Sequence, residues 1–198
     1  MTAQTDVLER WLAAVVATPG LTALREPAEA RRALLDDALR GLPLVAREVG
    51  PIVDVGSGGG TPGLPLAASL PERDVTLLEA ARRKCDFLVR WASELQNVQV
   101  VWGRAEEQPL ERYGVAVAKA LARPVTAAEW CLPLVREGGA AILWVGPTLD
   151  RASLSAVAVM LSAELVDAPV GFVVLRKVGP TPSSFPRRPG MAKKRPLA

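Results

Sequence analysis

An α/β fold with a doubly wound parallel sheet is predicted by three observations. Short apolar runs alternate with helical stretches from Pro51 onward, a glycine-rich turn joins the first run to the helix after it, and the last two runs lie too close together for a helical crossover. The 198 residues fit one folded unit. A composition with 49% hydrophobic and 23% charged residues can fill a packed core, which argues against a disordered or fibrous chain.

Thr5 followed by Val7, Leu8, Trp11, Leu12, Val15 and Val16 has a helical period that Pro19-Gly20 ends, and a second helix is expected from Pro27 through Ala30, Leu34, Leu35 and Leu39 to Gly41. Residues 1–50 are therefore read as an N-terminal helical preface packing on the core. Over residues 51–178 the pattern gives strands at 52–55, 75–78, 98–102, 115–118 and 140–145. Between them it gives helices at 62–70, 84–95, 125–135, where Pro133 should kink or end the helix, and 149–161, with Val157, Met160 and Leu161 inward. The runs 165–170 and 172–178 are separated by Gly171 alone, so the last strand should be antiparallel. A nucleotide-binding, Rossmann-like sheet closed by such a hairpin is the arrangement of class I S-adenosylmethionine-dependent methyltransferases. Residues 179–198, rich in proline, read as an extended basic tail.

The net charge of +3 is unevenly spread: Arg176, Lys177, Arg187, Arg188, Lys193, Lys194 and Arg195 meet no acid after residue 175, which leaves a body of net charge −4. Histidine is absent, removing the usual metal ligand, the Ser-His and Cys-His nucleophile pairs and the commonest general base; no metal is expected. Cys85 and Cys131 are too few for a disulfide framework and read as core filler. Residues 11–17 follow Asp6 and Glu9 instead of a basic segment, and no window supplies the ~18 apolar residues of a membrane span. A monomeric cytoplasmic protein is expected.

The informative run is Val53-Asp54-Val55-Gly56-Ser57-Gly58-Gly59-Gly60-Thr61-Pro62-Gly63, between a buried strand and a helix. Glycines let a backbone approach a ligand closely, and Pro62 suits a first helical turn. Gly58, Gly60 and Gly63 also satisfy the spacing of a dinucleotide site, but that fingerprint begins at the strand end, whereas here an acid, Asp54, lies inside the strand and suits a ligand with a positive amino group. Glu79, at the end of the second strand, can accept both ribose hydroxyls of an adenosine. Glu106, after the third, can accept from an adenine amino group. Together the three strand ends describe a site for S-adenosylmethionine at the carboxyl edge of the sheet.

The segment 54–65, with Glu79, Lys84, Phe87, Leu88 and Gly103-Arg104-Ala105-Glu106, resembles the glucose-inhibited division protein B family, the bacterial small-subunit ribosomal RNA guanine-N7 methyltransferases. Leu21-Thr22-Ala23-Leu24-Arg25-Glu26-Pro27 and Leu34-Leu35-Asp36 look like its N-terminal motifs, and Phe185, Pro186-Arg187-Arg188-Pro189-Gly190 and Arg195-Pro196-Leu197 like its C-terminal ones. The resemblance implies cofactor contacts from Gly56, Ser57, Gly58, Gly60, Thr61, Glu79, Ala80, Ala81, Ala105, Glu106 and Lys119, the last standing where the family has arginine beside cofactor and substrate. It implies RNA contacts from Lys119, Arg123, Arg187, Arg188, Lys193, Lys194 and Arg195, with Phe185 available to stack. The chain departs from the family at Gly20 (usually Asn), Ala33 (His), Asp37 (Ser), Val145 (Lys) and Val170-Gly171 (Arg-His), so the substrate side is thinned.

No general base is called for, because guanine N7 has an in-plane lone pair and no proton to lose. The alternatives are a diverged homologue that binds cofactor or RNA without turnover and a small-molecule methyltransferase; for the basic tail, the alternative is a solvated segment that aids solubility. Trp91, Trp102 and Trp130 fit core positions, and Trp144 either lines the substrate pocket or joins the core. On this reading, removing residues 187–198 weakens RNA binding and leaves cofactor affinity intact.

Overall fold

The alternation of side chains along each strand sets the layering of the molecule. The computed structural model describes residues 3–198, and seven strands form one sheet in the order β3-β2-β1-β4-β5-β7-β6. These are β1 (Ile52–Val55), β2 (Val75–Glu79), β3 (Val98–Trp102), β4 (Tyr113–Lys119), β5 (Val135–Trp144), β6 (Ala163–Val166) and β7 (Phe172–Lys177). Strands β1 to β5 are parallel, and β7 lies antiparallel between β5 and β6. Strand order reverses between β1 and β4, so a crevice opens at their carboxyl ends.

One face, carrying Ile52, Val75, Leu77, Val115, Val117 and Ile142, is covered by α1 (Ala3–Ala17), α5 (Gly63–Ser69) and α6 (Arg82–Ala92), and by the preface segments 27–46. The other face, carrying Val53, Val55, Ala116, Ala118, Ala141 and Leu143, is covered by α7 (Pro124–Cys131) and α8 (Arg151–Met160). The expected second helix is a short α2 (Pro27–Ala30), a π-helical turn (Arg31–Asp36) and α3 (Asp37–Leu39), followed by a further short helix, α4 (Leu42–Ala46).

Several expectations are corrected. Pro133 does end the helix, through a 3₁₀ turn at Leu132–Leu134, but β5 then starts at Val135, well before residue 140. Glu137, Gly138 and Gly139 lie within its first part, where the register against β4 shifts between Tyr113 and Val115. Strand β6 covers Ala163–Val166 instead of 165–170; Pro169, which cannot donate to a ladder, falls in the loop that follows. Helix α8 turns Leu154, Val157 and Ala158 inward, with Leu161 buried just beyond its end, and leaves Met160 47% exposed. Trp102 is 59% exposed on the edge strand, with its indole N–H donating to the Ala80 carbonyl at 3.1 Å and Arg82 4.8 Å above its ring. Trp91 is buried, as is Trp144, whose ring packs edge-on against Phe172.

The segment 179–198, expected to be extended, folds back onto the core. Phe185 and Leu197 join the cluster on the α7–α8 face, Ala192 is buried, and Met191–Lys194 forms a short helix, α9, against α7. Its start is held by the buried Lys177, whose ammonium donates to Leu161 O and Thr181 Oγ1, both at 3.0 Å, and by Thr181 N–H donating to Glu111. The apolar residues of a proline-rich stretch thus bury without regular backbone pairing.

The preface also reaches the glycine loop. Trp11 is fully buried and its indole N–H donates to Gly59 O at 2.7 Å, so α1 props the loop from below. Replacing Trp11 with Phe removes that bond while keeping most of the ring, and should cost about 1 kcal/mol in a urea denaturation curve with no change in its slope.

Candidate functional site

The loop after β1 is shaped by positive backbone φ angles at Gly56, Gly58 and Gly60, of 73°, 58° and 106°. At Gly56 there is a second constraint, since a Cβ there would collide with Leu121 Cδ1. At Gly63 a Cβ would run into Leu77 and into the Asp54 carboxylate. That close approach lets Gly63 N–H donate to Asp54 Oδ2 at 3.0 Å, tying the start of α5 to the strand it follows. Ser57 closes the turn from inside, its hydroxyl donating to Asp54 O at 2.9 Å. Thr61 faces away, donating to Leu34 O at 2.7 Å and tying the loop to the preface.

A cleft of 250 Å³ opens above the loop. It is lined by Gly56, Glu79, Ala80, Ala105 and Glu106, all expected from sequence, and by Lys84, Arg104, Ala120, Leu121 and Trp130, which were not. Ser57, Gly58, Gly60, Thr61, Ala81 and Lys119 do not line it. Of these, Gly58 and Ala81 act indirectly: their N–H groups donate to the two oxygens of Glu79, at 2.9 and 2.7 Å. Glu79 therefore stands fixed at the end of β2, and each oxygen keeps a lone pair for a further donor. Glu106 Oε1 accepts from Gly190 N–H at 3.0 Å. Of the missed residues, Lys84 comes from α6, Arg104 from the turn after β3, Ala120 and Leu121 from the turn after β4 and Trp130 from α7; Leu121 and Trp130 had no polar signal to mark them.

These groups fit S-adenosylmethionine. A vicinal diol can donate to Glu79, and an adenine amino group to Glu106. Asp54 is 1% exposed, and its Oδ1 is buried with no hydrogen-bond partner. Burial pushes its carboxyl up to about 7, against the Gly63 N–H, which lowers it. An acceptor left unpaired in this way is costly, and since Asp54 does not line the cleft, the oxygen lies in the interior behind the glycine loop and not, as the sequence suggests, against a ligand's amino group.

On the substrate side, the ammonium of Lys119 pairs with Asp37 Oδ2 at 2.9 Å. Asp37 Oδ1 accepts from Arg40 at 2.9 Å, and its carbonyl accepts from the Trp144 indole at 2.9 Å. Two departures from the family pattern, Asp37 and Lys119, are thus one ion pair joining the preface to the end of β4. Arg123, Arg188, Lys193, Lys194 and Arg195 are exposed. Arg187 is instead engaged, its Nε and Nη2 donating to Glu129 at 2.6 and 2.5 Å. Cys131 is buried, and burial raises its thiol far from a reactive range.

The Asp54 carboxyl gives a pH signature. Its raised value stabilises the ligand-free fold below the ordinary carboxylate range, and that contribution is lost as pH rises through about 7. Stability in urea denaturation should therefore fall as pH rises from about 4 to about 7, and Asp54→Asn should flatten that dependence.

Comparison with known proteins shows the family. Residues 4–170 match the family model GidB, rRNA small subunit methyltransferase G. Proteins named ribosomal RNA small subunit methyltransferase G are similar: that of Synechococcus elongatus is 37% identical over 89% of this chain and 82% of its own length. That of Symbiobacterium thermophilum is 36% identical over the same shares. Among solved structures, an S-adenosylmethionine-dependent methyltransferase from Aquifex aeolicus superposes with a TM-score of 0.56 at 14% identity, covering 75% of this chain and 93% of that one. The antibiotic-resistance methyltransferase Kmr gives 0.55 at 17% identity, covering 69% and 91%. With the fold, the cleft and the family model in agreement, the chain belongs to the GidB family of rRNA small subunit methyltransferases, enzymes that take their methyl group from S-adenosylmethionine.

Proposed function

We propose that this protein methylates guanine N7 in 16S ribosomal RNA, acting as a monomer in the cytoplasm. The observation that carries the reading is the convergence of Gly56, Glu79 and Glu106, from the ends of three neighbouring parallel strands, on one cleft. Among the described residues no helix is long and apolar enough to cross a membrane.

When bound, S-adenosylmethionine supplies a methyl group made electrophilic by its sulfonium. Glu79 would accept from the ribose and Glu106 from the adenine, while Asp54, outside the cleft lining, holds the Gly63 N–H and so the loop beneath them. Gly56 lets the backbone lie against the donor, and Leu121 shields the cleft from water beside it. No side chain needs to remove a proton from N7, so a chain without histidine has the groups the transfer requires: alignment and a dry wall. Lys119 does not line the cleft and its charge is met by Asp37, so it serves this reading by joining the preface to the end of β4, as a point charge without the planar fork of an arginine. Arg123, Arg188, Lys193, Lys194 and Arg195 supply cations for RNA phosphates, a source of affinity that weakens with salt. The target guanine has to stand out of its stack to reach the cleft.

Mass spectrometry of small-subunit rRNA from cells lacking this gene tests the reading. Loss of 7-methylguanosine, restored by the wild-type gene, is expected. An unchanged level would reject it, and retained binding of S-adenosylmethionine in that case would favour the reading as a binding protein without turnover.

A further inference from the structure

The carboxyl-terminal strap, 179–198, touches the cofactor cleft at one defined point. Gly190 N–H donates to Glu106 Oε1 at 3.0 Å, and Glu106 lines the cleft. Three residues earlier Arg187 grips Glu129 with two hydrogen bonds; the Glu129 side chain is 3% exposed and that of Arg187 22%. Glu129 lies in α7 next to Trp130, which lines the same cleft. Phe185 on one side and Ala192 on the other are buried against the core, with Thr126 Oγ1 reaching the Ala192 carbonyl at 3.5 Å. The segment between them is thereby pinned at both ends and in the middle.

A bidentate pair with a buried carboxylate is a poor way to present an arginine to RNA, since two of its donor atoms are already used. It is a good way to fix a backbone, because breaking it strands a charge in the interior. Resting on the functional reading above, we propose that the strap, though none of its residues lines the cleft, buttresses the S-adenosylmethionine site from behind Glu106. In this account the Arg187–Glu129 pair is a positioning device that holds Gly190 N–H against Glu106 and so fixes the carboxylate that receives the adenine. Arg187 and Glu129 are then positioning residues for the cofactor, and Arg187 is not a phosphate contact. The expectation that trimming residues 187–198 spares cofactor affinity is reversed. By linkage, bound cofactor must in turn favour the docked strap.

Calorimetric titration of S-adenosylmethionine into the full-length protein tests this. Arg187→Ala should raise Kd by at least about fivefold, and Arg187→Lys, which keeps one charged donor toward Glu129, should recover part of the loss. Arg188→Ala, on the exposed side of the strap, should leave that Kd within about twofold of wild type while lowering affinity for an rRNA fragment. Hydrogen exchange on the wild-type protein gives a second readout that needs no variant: saturating cofactor should slow the amides of 186–194. An Arg187→Ala protein that binds cofactor as wild type does overturns the proposal. So does an exchange pattern in the strap that cofactor leaves unchanged, and that result decides the matter if the variant does not fold. Wild-type protein that binds no cofactor would instead overturn the functional reading itself.

Discussion

A carboxylate inside the central strand holds the site together. Asp54 is buried in β1, accepts from Gly63 across the glycine loop, and has its second oxygen without a partner. Isolated buried charge is unfavourable, so this arrangement depends on the loop folding onto the carboxylate, and burial favours its protonated form. The loop's three positive φ angles, the small residue at Gly63 and the prop from Trp11 all follow from keeping the backbone against that carboxylate.

Around this point the chain brings its two ends together. The preface reaches the loop through Trp11 and through Leu34 O, which accepts from Thr61, and it reaches the substrate side through Asp37 and Lys119. The strap approaches from the opposite face and ends against Glu106. A minimal sheet with its crossover helices would supply Asp54, Glu79 and Glu106 but would leave each less constrained. The terminal segments supply the fixed orientation on which alignment of two reactants depends.

Much of the architecture is legible in the sequence because it rests on local patterns. Period-2 and period-3.6 runs mark strands and helices, and the close spacing of the last two apolar runs, joined in the structure by the short connection 167–171, makes their strands antiparallel. The elements that sequence misplaces are those decided by long-range contacts. Val135 becomes a strand residue by pairing with Tyr113, Trp102 stays exposed because β3 is an edge, and a proline-rich segment packs because Phe185 and Leu197 find a hydrophobic face. In the site, acids and glycines are visible by type and spacing. Leu121 and Trp130 are not, since an apolar side chain lining a cleft looks in sequence like any core residue. The same holds for pairings across 82 or 58 positions, Asp37 with Lys119 and Glu129 with Arg187, which engage two expected RNA-contact residues in ion pairs.

The central claim is that Glu79, fixed by the Gly58 and Ala81 amides, belongs to a donor site built at the ends of β1, β2 and β3. Titration of S-adenosylmethionine into wild-type protein and into Glu79→Ala, with thermal unfolding as a control for folding, tests it most directly. The account predicts saturable one-to-one binding by the wild type and none by a folded Glu79→Ala protein. Equal affinity in the two proteins, or no binding by the wild type, would contradict it.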